Sequence, residues 1–226
     1  MSKTGGTAPD FNGLARIYRW MEFASFGPWL GLTRRTYLER MTGARRALVL
    51  GDGDGRFTAR LLEENKEVRV DAVDASAAML DALLRRSGPD AERVRVHLAD
   101  VRNWEFPAPI VAQPYNLVAT HFLLDCLTTQ EVRQLAGRVR GAVDPGALWV
   151  VSEFAIPAGG AARMLGRPIV AALYFCFGVL TGMTVRRLPD HGQAMRDAGF
   201  ELVERKARLG GLLVAELWSV ARQERG

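Results

Sequence analysis

The stretch Ala47-Leu48-Val49-Leu50-Gly51-Asp52-Gly53-Asp54-Gly55-Arg56-Phe57-Thr58 decides the fold. An unbroken apolar segment passes through three alternate glycines into a helical pattern, which reads as strand, tight loop and helix. Glycines at such a crossing admit positive φ and let a ligand reach the main chain with no Cβ in the way. The helix that follows turns its unpaired N–H groups back toward the loop, a seat for a carboxylate or phosphate. A nucleotide-like cofactor is the first reading. The dinucleotide fingerprint G-x-G-x-x-G does not fit, because Arg56 fills its sixth position and the third glycine, Gly55, comes one residue early.

The spacing G-x-G-x-G at Gly51, Gly53 and Gly55 resembles the S-adenosylmethionine loop of class I methyltransferases. The resemblance implies that this loop, with Asp52, seats the methionine end of the cofactor. Many members carry an acid two residues before the first glycine, where it helps hold the ammonium group. Val49 stands there in this chain, so Asp52 or Asp54 is the candidate replacement.

Working outward, Val68 to Val73 alternates and is rich in β-branched residues, a second strand ending in Asp74. An acid at that tip is placed to accept hydrogen bonds from both ribose hydroxyls. Ser76 then caps a helix carrying Met79, Leu80 and Leu83, which Gly88-Pro89 stops. The run Asp-Ala-Ser-x-x-Met-Leu from Asp74 strengthens the methyltransferase resemblance, which implies that Asp74 and Ala75 line the ribose and that Met79 packs on adenine. Met79 reads equally as a core residue. Val94 to Leu98 is a third strand, and Asp100, followed by Val101, lies at its carboxyl end. A carboxylate there can accept from the adenine amine. A dinucleotide-binding dehydrogenase has no need of this second acid.

Tyr115 to Thr120 is the fourth strand, and His121-Phe122-Leu123-Leu124-Asp125 leaves its carboxyl end. In open α/β sheets ligands lie across those ends, and the first and fourth strands flank the switch point. His121 is the one residue of that segment with an ordinary pKa near neutrality, so it is the candidate catalytic base. It reads also as a contact to the methionine moiety or a support for the loop. Thr128-Thr129-Gln130-Glu131 matches a capping box and starts a helix that ends near Gly141. Asp144-Pro145-Gly146 forms a turn into a fifth strand, Ala147 to Glu153. After a short helix ending at Gly199-Phe200, Glu201 to Lys206, Gly210-Gly211 and Leu212 to Val220 read as strand, turn and strand. The expected fold is therefore α/β: a Rossmann-like, seven-stranded, mostly parallel sheet with an antiparallel C-terminal hairpin and helices on both faces.

The segments flanking this core carry the rest of the reading. Phe11, Leu14, Ala15, Tyr18 and Met21 step by three and four along one helix face, and a second helical pattern follows Pro28. The order Phe11-x3-Ala15-x2-Tyr18, then Ser25-Phe26-Gly27, is similar to the opening of the ubiquinone/menaquinone C-methyltransferase family. That likeness implies a segment, 11–46, that caps the cofactor and shapes the acceptor pocket, with Tyr18 at the cofactor. Tyr18 reads also as an ordinary core aromatic. Within the insertion expected over 155–190, an uncharged run from Pro168 to Val185 is long enough to cross a bilayer. The topology opposes a span, because the strands on either side belong to one sheet. An apolar cover helix over the acceptor site is the expected role, with interfacial membrane contact through Arg163, Arg167, Arg186 and Arg187 as the alternative.

Bulk properties agree with one domain of 226 residues, with 48% hydrophobic and 24% charged residues. The net charge of +5 comes from arginines spread along the chain, with no block that suggests a nucleic-acid partner. Cys126 and Cys176 both sit in apolar runs, which points to buried thiols and a cytoplasmic setting, and Met1 to Asp10 lacks the apolar core of a signal peptide. No zinc-spaced Cys/His set is present, so no metal site is expected. The function expected is methyl transfer from S-adenosylmethionine to a small, largely apolar acceptor such as a quinone, phenol, polyketide or lipid. A non-catalytic cofactor-binding partner is the alternative, and a nicotinamide-dependent oxidoreductase the more distant one. Oligomeric state is not legible.

Overall fold

The computed structural model describes residues 28–106, 113–157 and 189–220. The expected helix over Phe11–Met21 with Tyr18, and the cover segment with Cys176 and its four arginines, lie outside the described residues. Among the described residues no helix is long and apolar enough to cross a membrane, and no cluster of three or more His, Cys, Asp or Glu is poised to hold a metal ion.

In chain order the elements are α1 (Pro28–Arg34), β1 (Arg46–Leu50), α2 (Arg56–Glu64), β2 (Arg69–Asp74), α3 (Ala77–Ser87), β3 (Val94–Leu98), β4 (Tyr115–His121), α4 (Thr129–Ala142), β5 (Val143–Phe154), α5 (His191–Asp197), β6 (Phe200–Arg208) and β7 (Leu213–Val220). The seven strands form one sheet in the order β3-β2-β1-β4-β5-β7-β6. β1 pairs in parallel with β2 on one side and β4 on the other, and β7 runs antiparallel between β5 and β6. This is the expected fold, with the chain reversing direction beside β1. The switch point, where parallel sheets open a crevice for ligands, therefore lies between β1 and β4.

β1 and β4, at the centre of the sheet, are buried on both faces, which is why they read as nearly continuous apolar runs. On one face Leu48, Leu50, Val118 and Trp149 pack against Leu135 and Val139 of α4 and Met195 of α5. On the other Ala47, Val49, Leu117 and Ala119 pack against Phe57, Leu61 and Leu62 of α2 and Leu83 of α3. The expected caps form: Ser76 Oγ accepts from Met79 N at 3.3 Å, and Thr128 with Glu131 closes a capping box on α4.

Two boundaries differ from the sequence reading. Asp144-Pro145-Gly146 is not a turn before the fifth strand but an irregularity inside it: Tyr115 pairs with Val143 and Leu117 with Leu148, so β5 carries the extra residues as a bulge with Gly146 at φ 82. Pro145 has no N–H to give the ladder, and a bulge is where a strand tolerates that loss. β6 is longer than Glu201 to Lys206, and a single 3-10 turn, Leu209–Gly211, joins it to β7.

Candidate functional site

Side chains that could meet a ligand gather at the carboxyl ends of β1, β2 and β4. Gly51, Gly53 and Gly55 all have positive φ, at 65, 62 and 78. The reasons for glycine differ. A Cβ at Gly55 would stand 2.6 Å from Leu83 Cγ and 2.7 Å from Leu83 Cα, so Gly55 lets α2 and α3 pack. At Gly51 it would meet Leu123 Cδ1 at 2.8 Å, whereas at Gly53 the nearest atom is Met79 Sδ at 3.8 Å. Only Gly53 keeps an open flank, and Met79 stands across it.

Asp52 faces the helix rather than the open flank. Its Oδ1 accepts from Phe57 N at 3.2 Å, and its Oδ2 accepts from Thr58 N at 2.8 Å and Thr58 Oγ1 at 2.7 Å. It thereby caps the first turn of α2, whose N-cap residue, Gly55, has no side chain to do so. Burial pushes the Asp52 carboxyl up to about 6, against the pull of those hydrogen bonds. Asp54 points to α3: Arg86 Nη2 donates to its Oδ2 at 2.8 Å, Arg86 Nε donates to its backbone oxygen at 2.8 Å, and Arg56 lies 3.3 Å away. Neither loop aspartate offers an uncommitted carboxylate in the place left by Val49, although each was a candidate for that role.

Asp74, at the end of β2, accepts from Gly53 N at 3.2 Å and from Ser76 N at 2.9 Å. Burial raises its carboxyl, and these amides oppose the rise. The Ala75 amide adds a third hydrogen bond to this carboxyl, and of the roughly four acceptor sites of a carboxylate one remains for a hydroxyl donor. Ala75 is exposed and Met79 half-buried beside it. Asp100 lies one strand further out, since Ala99 N donates to Asp74 O at 3.0 Å. Arg102 forks onto Asp100 through Nε at 3.0 and 2.9 Å, and that hydrogen bonding holds the carboxyl below its usual range. Val101 is buried, its carbonyl held by Arg138 Nη2 at 2.7 Å.

His121 ends β4 beside the glycine loop, one residue past the Leu50–Thr120 pair. It is 3% exposed, with its ring centroid 4.3 Å from that of Phe57 in the first turn of α2. Nδ1 lies 2.9 Å from Ser152 Oγ, while Nε2 is buried with no hydrogen-bond partner. Burial, and then the charge of Arg34, push the imidazole well below its usual range, so the ring is neutral at physiological pH.

Two acids at this rim escaped the sequence reading. Glu153, read only as the last residue of the fifth strand, is 1% exposed and accepts backbone N–H groups from the segment that leaves β4. Asp125, in that segment, is buried against it. The available signal was a carboxylate inside the otherwise apolar run Val150-Val151-Ser152-Glu153-Phe154, a position that demands partners.

A strand order with β7 antiparallel in a parallel sheet, and a glycine crossing at the β1 switch point, define a class I methyltransferase fold. The family model described as a methyltransferase domain matches residues 47–146. Residues 47–146, fewer than half of the chain, thus resemble a methyltransferase domain and are set in a sheet of the class I methyltransferase fold. Among solved structures, the S-adenosylmethionine-dependent methyltransferase SibL in its apo form shares 23% identity at a TM-score of 0.67, over 96% of this chain and 64% of that one. An O-methyltransferase family protein from Burkholderia thailandensis shares 16% at 0.65, over 94% and 59%. The N-methyltransferase NodS from Bradyrhizobium japonicum WM9, in complex with S-adenosyl-l-homocysteine, shares 15% at 0.57, over 84% and 87%. The chain spans 59% and 64% of the length of the first two, and likeness at this identity concerns the fold. No curated protein matches the sequence significantly.

Proposed function

We propose that this protein transfers a methyl group from S-adenosylmethionine to a small, largely apolar acceptor. The observation that carries the reading is the open flank of Gly53 between Asp74 and Met79: a backbone-lined cradle with a ribose-directed acid on one side and a soft apolar side chain on the other. The cofactor supplies an already electrophilic methyl group, so the protein's work is in-line positioning and exclusion of water. Gly51 and Gly53 would hold the methionine end, Asp74 and Ala75 the ribose, and Met79, Asp100 and Val101 the adenine. We assign His121 a neutral hydrogen-bonding role through Nε2. Protonating it would place a second cation near Arg34 in a dry site, which weighs against the base role read from its residue type.

The acceptor class rests on the sequence. The apolar run Pro168–Val185 and the helical pattern with Tyr18 support an acceptor of quinone, phenol, polyketide or lipid type, and kinship with the ubiquinone/menaquinone C-methyltransferases. Peripheral contact of 163–187 with a cytoplasmic membrane face belongs to the same proposal. The test is incubation with methyl-labelled cofactor and a lipid and quinone extract. Label in an extracted species together with S-adenosylhomocysteine supports the reading. Ligand binding with no S-adenosylhomocysteine formed supports a second one, a non-catalytic cofactor-binding subunit, which the engagement of both Asp52 and Asp54 inside the protein favours. Turnover of His121→Ala equal to wild type would remove His121 from the chemistry.

A further inference from the structure

One carboxyl group at the end of β5 gathers the backbone that leaves β4. Glu153 Oε1 accepts from Leu123 N at 3.2 Å and from Leu124 N at 2.8 Å, and its Oε2 accepts from Asp125 N at 3.4 Å. The segment opens with Phe122 at φ 57, a left-handed conformation that a side chain resists. The strained turn is pinned: Phe122 N donates to Ser152 O at 2.6 Å, and its ring packs 5.1 Å from that of Phe154. The next side chain, Leu123, abuts the glycine loop so closely that a Cβ on Gly51 would stand 2.8 Å from it. A continuous chain of contacts thus runs from Glu153 through three amides and Leu123 to Gly51. An acid in a water-free position is costly unless its lone pairs are used, and here they are used on this one turn.

We propose that Glu153 is a positioning residue for the cofactor seat: its carboxyl group fixes the turn from Phe122 to Asp125 and, through Leu123, the placement of Gly51. The proposal rests on the methyltransferase reading for its functional consequence, though not for the turn itself. The titratable groups beside Glu153 are Asp125 from the turn and Cys126, whose Sγ lies 3.5 Å from Asp125 Oδ1; His191 from the start of α5 acts on Asp125 and pairs through Nε2 with Glu216 at 3.0 Å. Two carboxyls pressed together out of water share one proton. Burial and the neighbouring Asp125 hold that proton on Glu153 well above the usual carboxylate range. Losing it as pH rises sets two charges side by side and loosens the turn.

The test compares full-length wild type, Glu153→Ala and Glu153→Gln by amide hydrogen exchange and by calorimetry with S-adenosylhomocysteine. In Glu153→Ala, amides 123–125 exchange at least ten-fold faster while those of β1 keep their protection, and S-adenosylhomocysteine binds at least ten-fold more weakly. Glutamine keeps an acceptor for Leu123 and Leu124 and can donate to the Asp125 carboxyl, giving up only the 3.4 Å contact from Asp125 N. Glu153→Gln therefore stays within three-fold of wild type in exchange at 123 and 124 and in affinity, and lacks the loss of affinity that wild type shows as pH rises. Unchanged exchange at 123–125 in the alanine variant overturns the proposal, and so does faster exchange with unchanged affinity. If wild type binds no S-adenosylhomocysteine, the methyltransferase reading fails, and the exchange measurement alone decides whether Glu153 sets the turn. If the alanine variant does not fold, the glutamine variant decides: wild-type amides 123–125 must gain exchange with pH more steeply than those of Glu153→Gln, and parallel profiles overturn the proposal.

Discussion

The rims at the ends of β1 and β2 and of β4 and β5 solve the same problem with opposite means. At the first, carboxylates fix a loop through partners close by in the chain: Asp52 reaches Phe57 and Thr58, and Asp74 reaches Ser76 and, 21 residues back, Gly53. At the second, Glu153 reaches across 28 to 30 residues to a turn it cannot meet until β5 lies beside β4. Three glycines make the first loop's left-handed backbone inexpensive, whereas the second carries Phe122 at φ 57. The first rim is built mostly on backbone groups a few residues away, with Asp54 alone reaching as far as Arg86 on α3. The second is a product of the assembled sheet, and its strain has to be held by tertiary contacts.

If the first rim is locally built, its hardest point is the contact between α2 and α3. Gly55→Ala drives a Cβ to 2.7 Å from the backbone of Leu83 and imposes φ 78 on a residue with a side chain. Overpacking and left-handed strain together cost about 3 kcal/mol or more. Urea denaturation reads this directly, and a loss below about 1 kcal/mol would show that the helices part without cost. Next in size is Asp52→Ala, which strips the cap from α2 and costs about 2 kcal/mol. Asp52→Asn adds a pH test. Its carboxyl titrates near 6 in the fold against 3.8 when unperturbed, so the native state holds the proton more tightly. The stability of wild type relative to Asp52→Asn is then greatest below about pH 4 and falls as pH rises through about 6. A difference in melting temperature that stays flat over that range would deny the buried titration.

The same contrast explains what could be read from the sequence. The glycine loop, the acid ending β2, the Ser76 cap and the capping box on α4 each depend on residues a few places apart, and each stands where it was expected. Strand order between β1 and β4 followed from the switch-point rule. Illegible were the uses of the loop aspartates, because the sequence cannot say that Asp54 turns to Arg86 on α3 or that Asp52 replaces a side-chain cap that Gly55 lacks. The apolar neighbours of Glu153 signalled that it needs partners, but which ones was illegible, because its donors are main-chain groups with no residue-specific signal. His121 was singled out by type, but its burial beneath Phe57 and its pairing with Ser152 depend on α1, α2 and β5 closing around it.

Smaller effects sharpen the comparison by separating stability from binding at the first rim. Gly53→Ala meets no atom closer than 3.8 Å, so only left-handed strain opposes it, about 1–2 kcal/mol. The methyl group nonetheless enters the flank between Asp74 and Met79, and affinity for S-adenosylhomocysteine should fall by much more than that strain accounts for. Equal losses in folding and binding would mean the ligand does not approach the backbone there. Smallest is Arg86→Ala. It removes the 2.8 Å pair with Asp54 but leaves Arg56 beside that buried carboxylate, and Arg86 itself stays partly in water. With one partner partly in water and a second arginine left in place, the loss is about 1 kcal/mol. Because Asp54 faces α3 rather than the cradle, the variant should bind S-adenosylhomocysteine as wild type does. A clear loss of affinity in Arg86→Ala would show that Asp54 reaches the ligand through the loop, and the separation drawn between its structural and binding sides would fail.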